Sequence, residues 1–163
     1  MPDRSSLRWL WLSLLTLGVD QASKLMVIDR LDVHESVSLA PFFSLVHWHN
    51  AGAAFSFLAN QPGWQRILFS LFALVASVII LRLLWTTRGR AWFCAALALI
   101  LGGALGNLID RFAYGYVVDF LLFHWRDWFF PAFNVADSAI SVGAAILIWE
   151  SMFRPGSEPG NKA

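Results

Sequence analysis

Charge is scarce in this chain and cysteine nearly absent. Aspartate, glutamate, lysine and arginine make up 14% of the residues, against roughly 25% in an ordinary soluble domain. The formal net charge is +1, so there is no strongly basic face, and no nucleic-acid partner is expected. The single cysteine, Cys94, lies inside an apolar run. It excludes an internal disulfide and a four-cysteine metal framework, and it reads as a small packing residue. No serine stands in a Gly-x-Ser-x-Gly setting, which argues against a serine hydrolase. What the chain does have is apolar surface: 58% of its 163 residues are hydrophobic. A soluble protein of this size cannot bury so much in one core, so lipid must take the excess.

Four windows are apolar enough to cross a bilayer, which takes about 20 helical residues. They are 7–28, 64–84, 91–109 and 134–153. The first follows Arg4 but is too long for the core of a cleaved signal peptide, and no small-x-small cleavage site follows it. It is therefore kept as a permanent helix. The short link after the second window carries Arg88 and Arg90, with Arg82 just before it. The tails carry Arg4, Arg8, Arg154 and Lys162. By the positive-inside rule both termini and this link are cytoplasmic, and connections 29–63 and 110–133 face outward. Segment 39–48 is rich in apolar and aromatic residues and reads as one or two strands. Asn50-Ala51-Gly52 marks a turn, and 53–58 could open a short interfacial helix. The expected fold is an all-α integral membrane protein of four transmembrane helices. A small strand-and-helix platform at about 31–60 lies between helices 1 and 2. Residues 1–154 form a single domain and 155–163 a disordered tail.

Ionisable residues in or beside a membrane span are costly, and each is a functional suspect. Asp20 and Lys24 are four apart in the first window, acid before base, and can pair on one helix face. Such a pair suits positioning better than chemistry, because an ammonium keeps its carboxylate ionised. Gly102, Gly103, Ala104 and Gly106 form a small patch for close helix contact. Asn107, Asp110 and Arg111, which follow it, call for a local hydrogen-bonded network. Asp119 sits among apolar residues and, taken alone, reads as a loop acid. Asp137, taken alone, is a helix-start acid favoured by the helix dipole. Together they mean more. Both fall at one membrane level, and Ala136, Ala139, Gly143 and Ala144 can pack onto the glycine patch and draw the two carboxyls together. Carboxylates that close share a proton. One can then act as base toward water while the other donates to a carbonyl oxygen. That pair hydrolyses an amide with no metal and no cofactor. His47 and His49 project from one side of a strand at ligand-compatible spacing. With His34 and His124 standing apart and no carboxylates to complete the set, no metal site is expected. A transporter or channel subunit would need charges spread through the membrane depth. A lipid transferase would want an acid cluster for a metal or a glycine loop for phosphate.

Five blocks carry a resemblance: Asp20-Gln21-Ala22-Ser23-Lys24; Asn50-Ala51-Gly52-Ala53-Ala54-Phe55-Ser56; Gly102-Gly103-Ala104-Leu105-Gly106-Asn107-Leu108-Ile109-Asp110-Arg111; Val117-Val118-Asp119-Phe120; and Phe133-Asn134-Val135-Ala136-Asp137-Ser138. In this order they resemble the lipoprotein signal peptidases (signal peptidase II) of bacterial cytoplasmic membranes. The resemblance implies an aspartic endopeptidase in the membrane, with Asp119 and Asp137 as the catalytic pair. It implies that Asp20, Asn50, Gly52, Asn107, Arg111, Asn134 and Ala136 shape or support the site, in blocks that also hold Lys24, Gly106 and Asp110. The implied substrate is a diacylglyceryl-modified prolipoprotein, cut before its lipidated cysteine. The implied inhibitor is the cyclic peptide globomycin, and the implied location is the inner membrane, with the site toward its outer side. The site should then open sideways to membrane lipid, under the platform. Arg111 would hold the lipid's ester oxygens or brace the network.

Overall fold

Glycines at 102, 103 and 106 decide how the helices meet. In the computed structural model, which describes residues 4–52 and 63–153, they lie in α3 (Ala91–Ala113). A Cβ on Gly102 would stand 2.6 Å from the Ser13 carbonyl oxygen of α1 (Leu10–Arg30). One on Gly103 would strike the Ala136 carbonyl of α4 (Val135–Phe153). One on Gly106 would come to 2.5 Å from the Asp20 carboxylate. Backbones can approach this closely only where side chains are missing. Helix α3 is thus the buried centre, with α1 on one side, α4 on another and α2 (Trp64–Thr86) along a third.

Helices α2, α3 and α4 are long and apolar enough to cross a membrane. Helix α2 exposes about two-thirds or more of Ile67, Phe72 and Val78, the surface of a helix whose solvent is lipid. Helix α1 has the length, at 21 residues, but carries Asp20, Lys24, Asp29 and Arg30. Helix α3 continues beyond the expected end at 109 and takes in Asp110 and Arg111. Asp110 does not stop it because α1 and the following strand satisfy its carboxylate. The helix ends instead at Tyr114, before Gly115 at φ +88°, the left-handed residue that closes many helices.

The strands expected in the first connection are present, but the platform is larger than expected. The two connections build a four-stranded antiparallel sheet, in the order β1 (Ser36–Ala40), β2 (Phe43–Asn50), β3 (Val117–Trp125) and β4 (Trp128–Phe129). The platform therefore takes half its strands from the second connection, not only from 31–60. Strand β3 escaped notice because both its faces are covered: Val117, Val118, Asp119 and Phe120 are all buried in succession. Such a strand shows no polar alternation to read. The helix suggested at 53–58 and the tail at 155–163 lie outside the described residues.

Candidate active site

Three asparagines, each held at its oxygen and donating through its nitrogen, organise the two aspartates. Asn134 precedes α4 and accepts the Asp137 backbone N–H at 2.9 Å, while its own N–H donates to Asp137 Oδ2 at 3.3 Å. This reciprocal pair is a capping box. With its oxygen engaged, Asn134 turns Nδ2 toward Asp119 Oδ1 at 2.8 Å. Asn50 ends β2, and its oxygen accepts from the Gly52 N–H at 2.9 Å. Its Nδ2 then donates to Asp119 Oδ2, also at 2.9 Å. Gly52 stands at φ +98°, a turn conformation that costs glycine little. Asn107 of α3 accepts from Lys24 Nζ at 3.0 Å and donates to Asp137 Oδ1 at 2.7 Å. Every carboxylate oxygen of the pair thus receives one N–H.

Asp119 enters from β3 and is buried. Burial, and next the charge of Asp137, pushes its carboxyl up to about 7. The bonds from Asn50 and Asn134 and the charge of Lys24 oppose that rise. A group poised there can hold or yield a proton near neutral pH.

Behind the pair lies a fully buried charge network. Lys24 Nζ is 2.8 Å from Asp20 Oδ2 and 2.9 Å from Asp110 Oδ2. Asp20 Oδ1 accepts the Ala136 N–H at 2.8 Å, tying α1 to the opening turn of α4. Asp110 Oδ2 accepts the Val118 N–H at 3.1 Å and so anchors the strand that carries Asp119. Gly106 leaves room for the Asp20 carboxylate. Arg111 donates from Nη1 to the Asn107 carbonyl at 3.2 Å and lies over the Phe69 ring. The expected site residues therefore come together, and the Asp20–Lys24 pair proves to be a triad with Asp110.

A cavity of about 630 Å³ opens beside the pair, lined by Asn50, Gly52, Arg111, Asp137 and Ser138 on its polar side. Phe69, Phe130, Phe133 and Val142 form its apolar wall. It sets a carboxylate next to apolar surface.

The family model described as Signal peptidase (SPase) II matches residues 12–153. The chain belongs to the signal peptidase II family. Among its relatives, a lipoprotein signal peptidase of Pseudomonas fluorescens (strain Pf0-1) is 54% identical over 144 residues, 86% of this chain and 85% of that one. One from Yersinia enterocolitica is 48% identical over 156 residues, 94% and 92% of the two chains. A bacterial membrane enzyme solved by the in meso method at 2.3 Å has the same fold, at a TM-score of 0.79 and 22% identity, covering 96% of this chain and 94% of that one. As a member of this family the chain is a peptidase.

Two features of this chain were missed in the sequence. Gln21 donates from Nε2 to Asp110 Oδ1 at 2.9 Å and to the Gly106 carbonyl at 3.2 Å, stitching α1 to α3. Its place beside Asp20 was the available signal. Glu150 of α4 is 2% exposed and accepts from Arg90 Nε at 3.2 Å. An acid in the last turn of an apolar span was the clue there. His34 meets His47 through its backbone. Its N–H donates to the His47 carbonyl at 2.9 Å. The proton affinity of His49 is lowered, first by burial and then by His47 and His34. His124 meets Ser44 Oγ at 3.0 Å.

Proposed function

We propose that this peptidase removes the signal peptide of a diacylglyceryl-modified prolipoprotein, cutting before the lipidated cysteine, with water activated by Asp119 and Asp137. The observation that carries the reading is the bracketing of both carboxylates by Asn50, Asn107 and Asn134 at the edge of a partly apolar cavity. Asp137 lines the cavity and takes a proton from water as the water oxygen bonds to the scissile carbonyl carbon. Asp119, whose proton is retained near neutral pH, gives it to the carbonyl oxygen. When the tetrahedral intermediate collapses, the C–N bond breaks, the leaving cysteine nitrogen takes the proton from Asp137, and a hydroxyl proton of the intermediate returns to Asp119 as the carboxyl group forms. Asn50 and Asn107 fix the carboxylates, and Asn134 sets their mutual orientation. Arg111 braces Asn107 and borders the space for the lipid's esters.

In this reading α1 is a fourth crossing, its charges sequestered against α3 rather than lipid. Residues 4–52 and 63–153 act as one unit. Both termini and the 87–90 link lie in the cytoplasm of a bacterial inner membrane, by their basic residues. The site then faces the outer side, and globomycin competes for it. The deciding experiment gives the purified enzyme one prolipoprotein with and without its diacylglyceryl group, each with and without globomycin. Cleavage is expected only of the lipidated form without the inhibitor. Equal cleavage of the unlipidated form would overturn the reading.

The proton on Asp119 also sets a pH dependence. Cleavage is expected to fall as pH rises past about 7, where Asp119 ionises. Asn50→Ala removes a bond that favours the ionised form, so this falling limb should move to higher pH. Stability runs the same way. Between the ordinary carboxylate range and about 7 the folded chain binds a proton that the unfolded chain has lost. Stability therefore declines as pH rises through that window and levels off above it. Rate profiles of both proteins in one detergent would decide the matter. A limb unmoved by Asn50→Ala would remove Asp119 as the titrating group.

A further inference from the structure

Away from the aspartates, two imidazoles on β2 meet at their outer nitrogens. His47 Nε2 and His49 Nε2 are 3.3 Å apart, and their ring centres are 5.1 Å apart. Two imidazoles converging on one tetrahedral ion, at about 2.0–2.1 Å from each nitrogen, hold those nitrogens about 3.3–3.4 Å apart and their centres about 5.2 Å apart. A straight N–H···N contact at the same nitrogen separation would put the centres about 5.6 Å apart. The observed centre separation matches the converging value, in a contact that is a bent hydrogen bond while no ion is bound.

The surroundings of both rings fit ligation. His47 is 4% exposed and its Nδ1 is 2.9 Å from the Leu31 carbonyl oxygen. That carbonyl can only accept, so Nδ1 carries the hydrogen and Nε2 is left with its lone pair. Metal-binding histidines are oriented by this kind of second contact. His49 is exposed and stacks on Tyr116 with centres 3.7 Å apart and planes 17° apart. One ligand is thus locked inside the sheet and the other stands where an ion can arrive. Among the described residues no third histidine, cysteine or carboxylate joins them as a cage, so water would fill the other positions.

We propose that His47 and His49 form a surface site for one late first-row divalent ion, of the Zn²⁺ or Cu²⁺ class. Imidazole nitrogen selects this class over Mg²⁺ or Ca²⁺, which take oxygen ligands. The site is separate from the hydrolytic chemistry proposed above, which needs no metal.

The test uses the full chain in detergent with any affinity tag removed. Zn²⁺ is titrated by calorimetry and Cu²⁺ by electron paramagnetic resonance. One ion per chain is expected, with two-nitrogen hyperfine structure for Cu²⁺. His49→Phe keeps a ring for the Tyr116 stack but no ligand, and should weaken binding by about tenfold or more. His47→Gln should do the same, and a thermal melt checks that each variant folds. If His47→Gln does not fold, His49→Phe decides alone. The proposal falls if the unaltered chain takes up neither ion at micromolar concentration, or if His49→Phe binds as the unaltered chain does.

Discussion

Asp119→Asn and Asp137→Asn each slow cleavage of lipidated prolipoprotein by about a thousandfold or more, the scale of losing a positioned acid or base. Neither variant can exchange the proton that the pair passes between water, carbonyl and leaving nitrogen. The fold should tolerate both, at unequal cost. Asp137 caps α4 through Oδ2 and accepts from Asn107 through Oδ1; Asp119 accepts from Asn134 and Asn50, one at each oxygen. An asparagine there has one oxygen and one NH₂, so one N–H donor faces another. The neighbours cannot flip to relieve this. Asn134 is held by the Asp137 N–H and Asn50 by the Gly52 N–H. One bond is lost in either variant, a cost of about 1–3 kcal/mol. Cleavage assays beside thermal melts followed by tryptophan fluorescence separate the two effects. A folded variant that turns over within about tenfold of the unaltered enzyme would remove that aspartate from the chemistry.

The sequence was readable where chemistry is local, and opaque where a partner comes from far along the chain. Glycines one turn apart before Asn107 announced a tight helix contact, and the small residues of α4 announced its other half. Asp137 at a helix start was plain, because its cap, Asn134, is three residues away. Asp119 was not plain. Its strand has no alternation, and only the pairing of Trp48 with Asp119 across β2 and β3 makes it part of a sheet. Likewise Asp20 and Lys24 declare themselves by spacing, whereas Asp110, the third member of the triad, lies 86 residues beyond Lys24. No periodicity can report such a contact. The same holds for His47 and His49: their spacing suggested one face, but the lock on His47 comes from Leu31, in a turn with no pattern of its own.

That buried triad carries the second large effect. Lys24→Met should destabilise the protein by about 3–5 kcal/mol, as expected when one partner of a buried ionic group is removed. Lys24 is 1% exposed, and its ammonium spends all three hydrogens, on Asp20, Asp110 and Asn107. Without it two carboxylates, each 1% exposed or less, face one another with no cation between them. A surface ion pair would matter far less, since water would take its place. The damage should also reach the site. Asn107 keeps its amide turned toward Asp137 because Lys24 and Asn134 both donate to its oxygen, at 3.0 and 3.2 Å. Losing the charged donor loosens it, so any folded Lys24→Met enzyme should cleave more slowly than its stability explains. Lys24→Met combined with Asp20→Asn and Asp110→Asn removes the uncompensated charge and should melt higher than the single variant. It should not regain full activity, because Asn107 Oδ1 has lost the shorter of its two donors and keeps only Asn134 Nδ2. Melting curves and single-turnover rates of the three proteins separate the two roles. If the single variant melts where the unaltered enzyme does, the triad is not what holds α1 against α3. If the triple variant recovers the rate as well as the melt, Lys24 acts on the aspartates only through the fold.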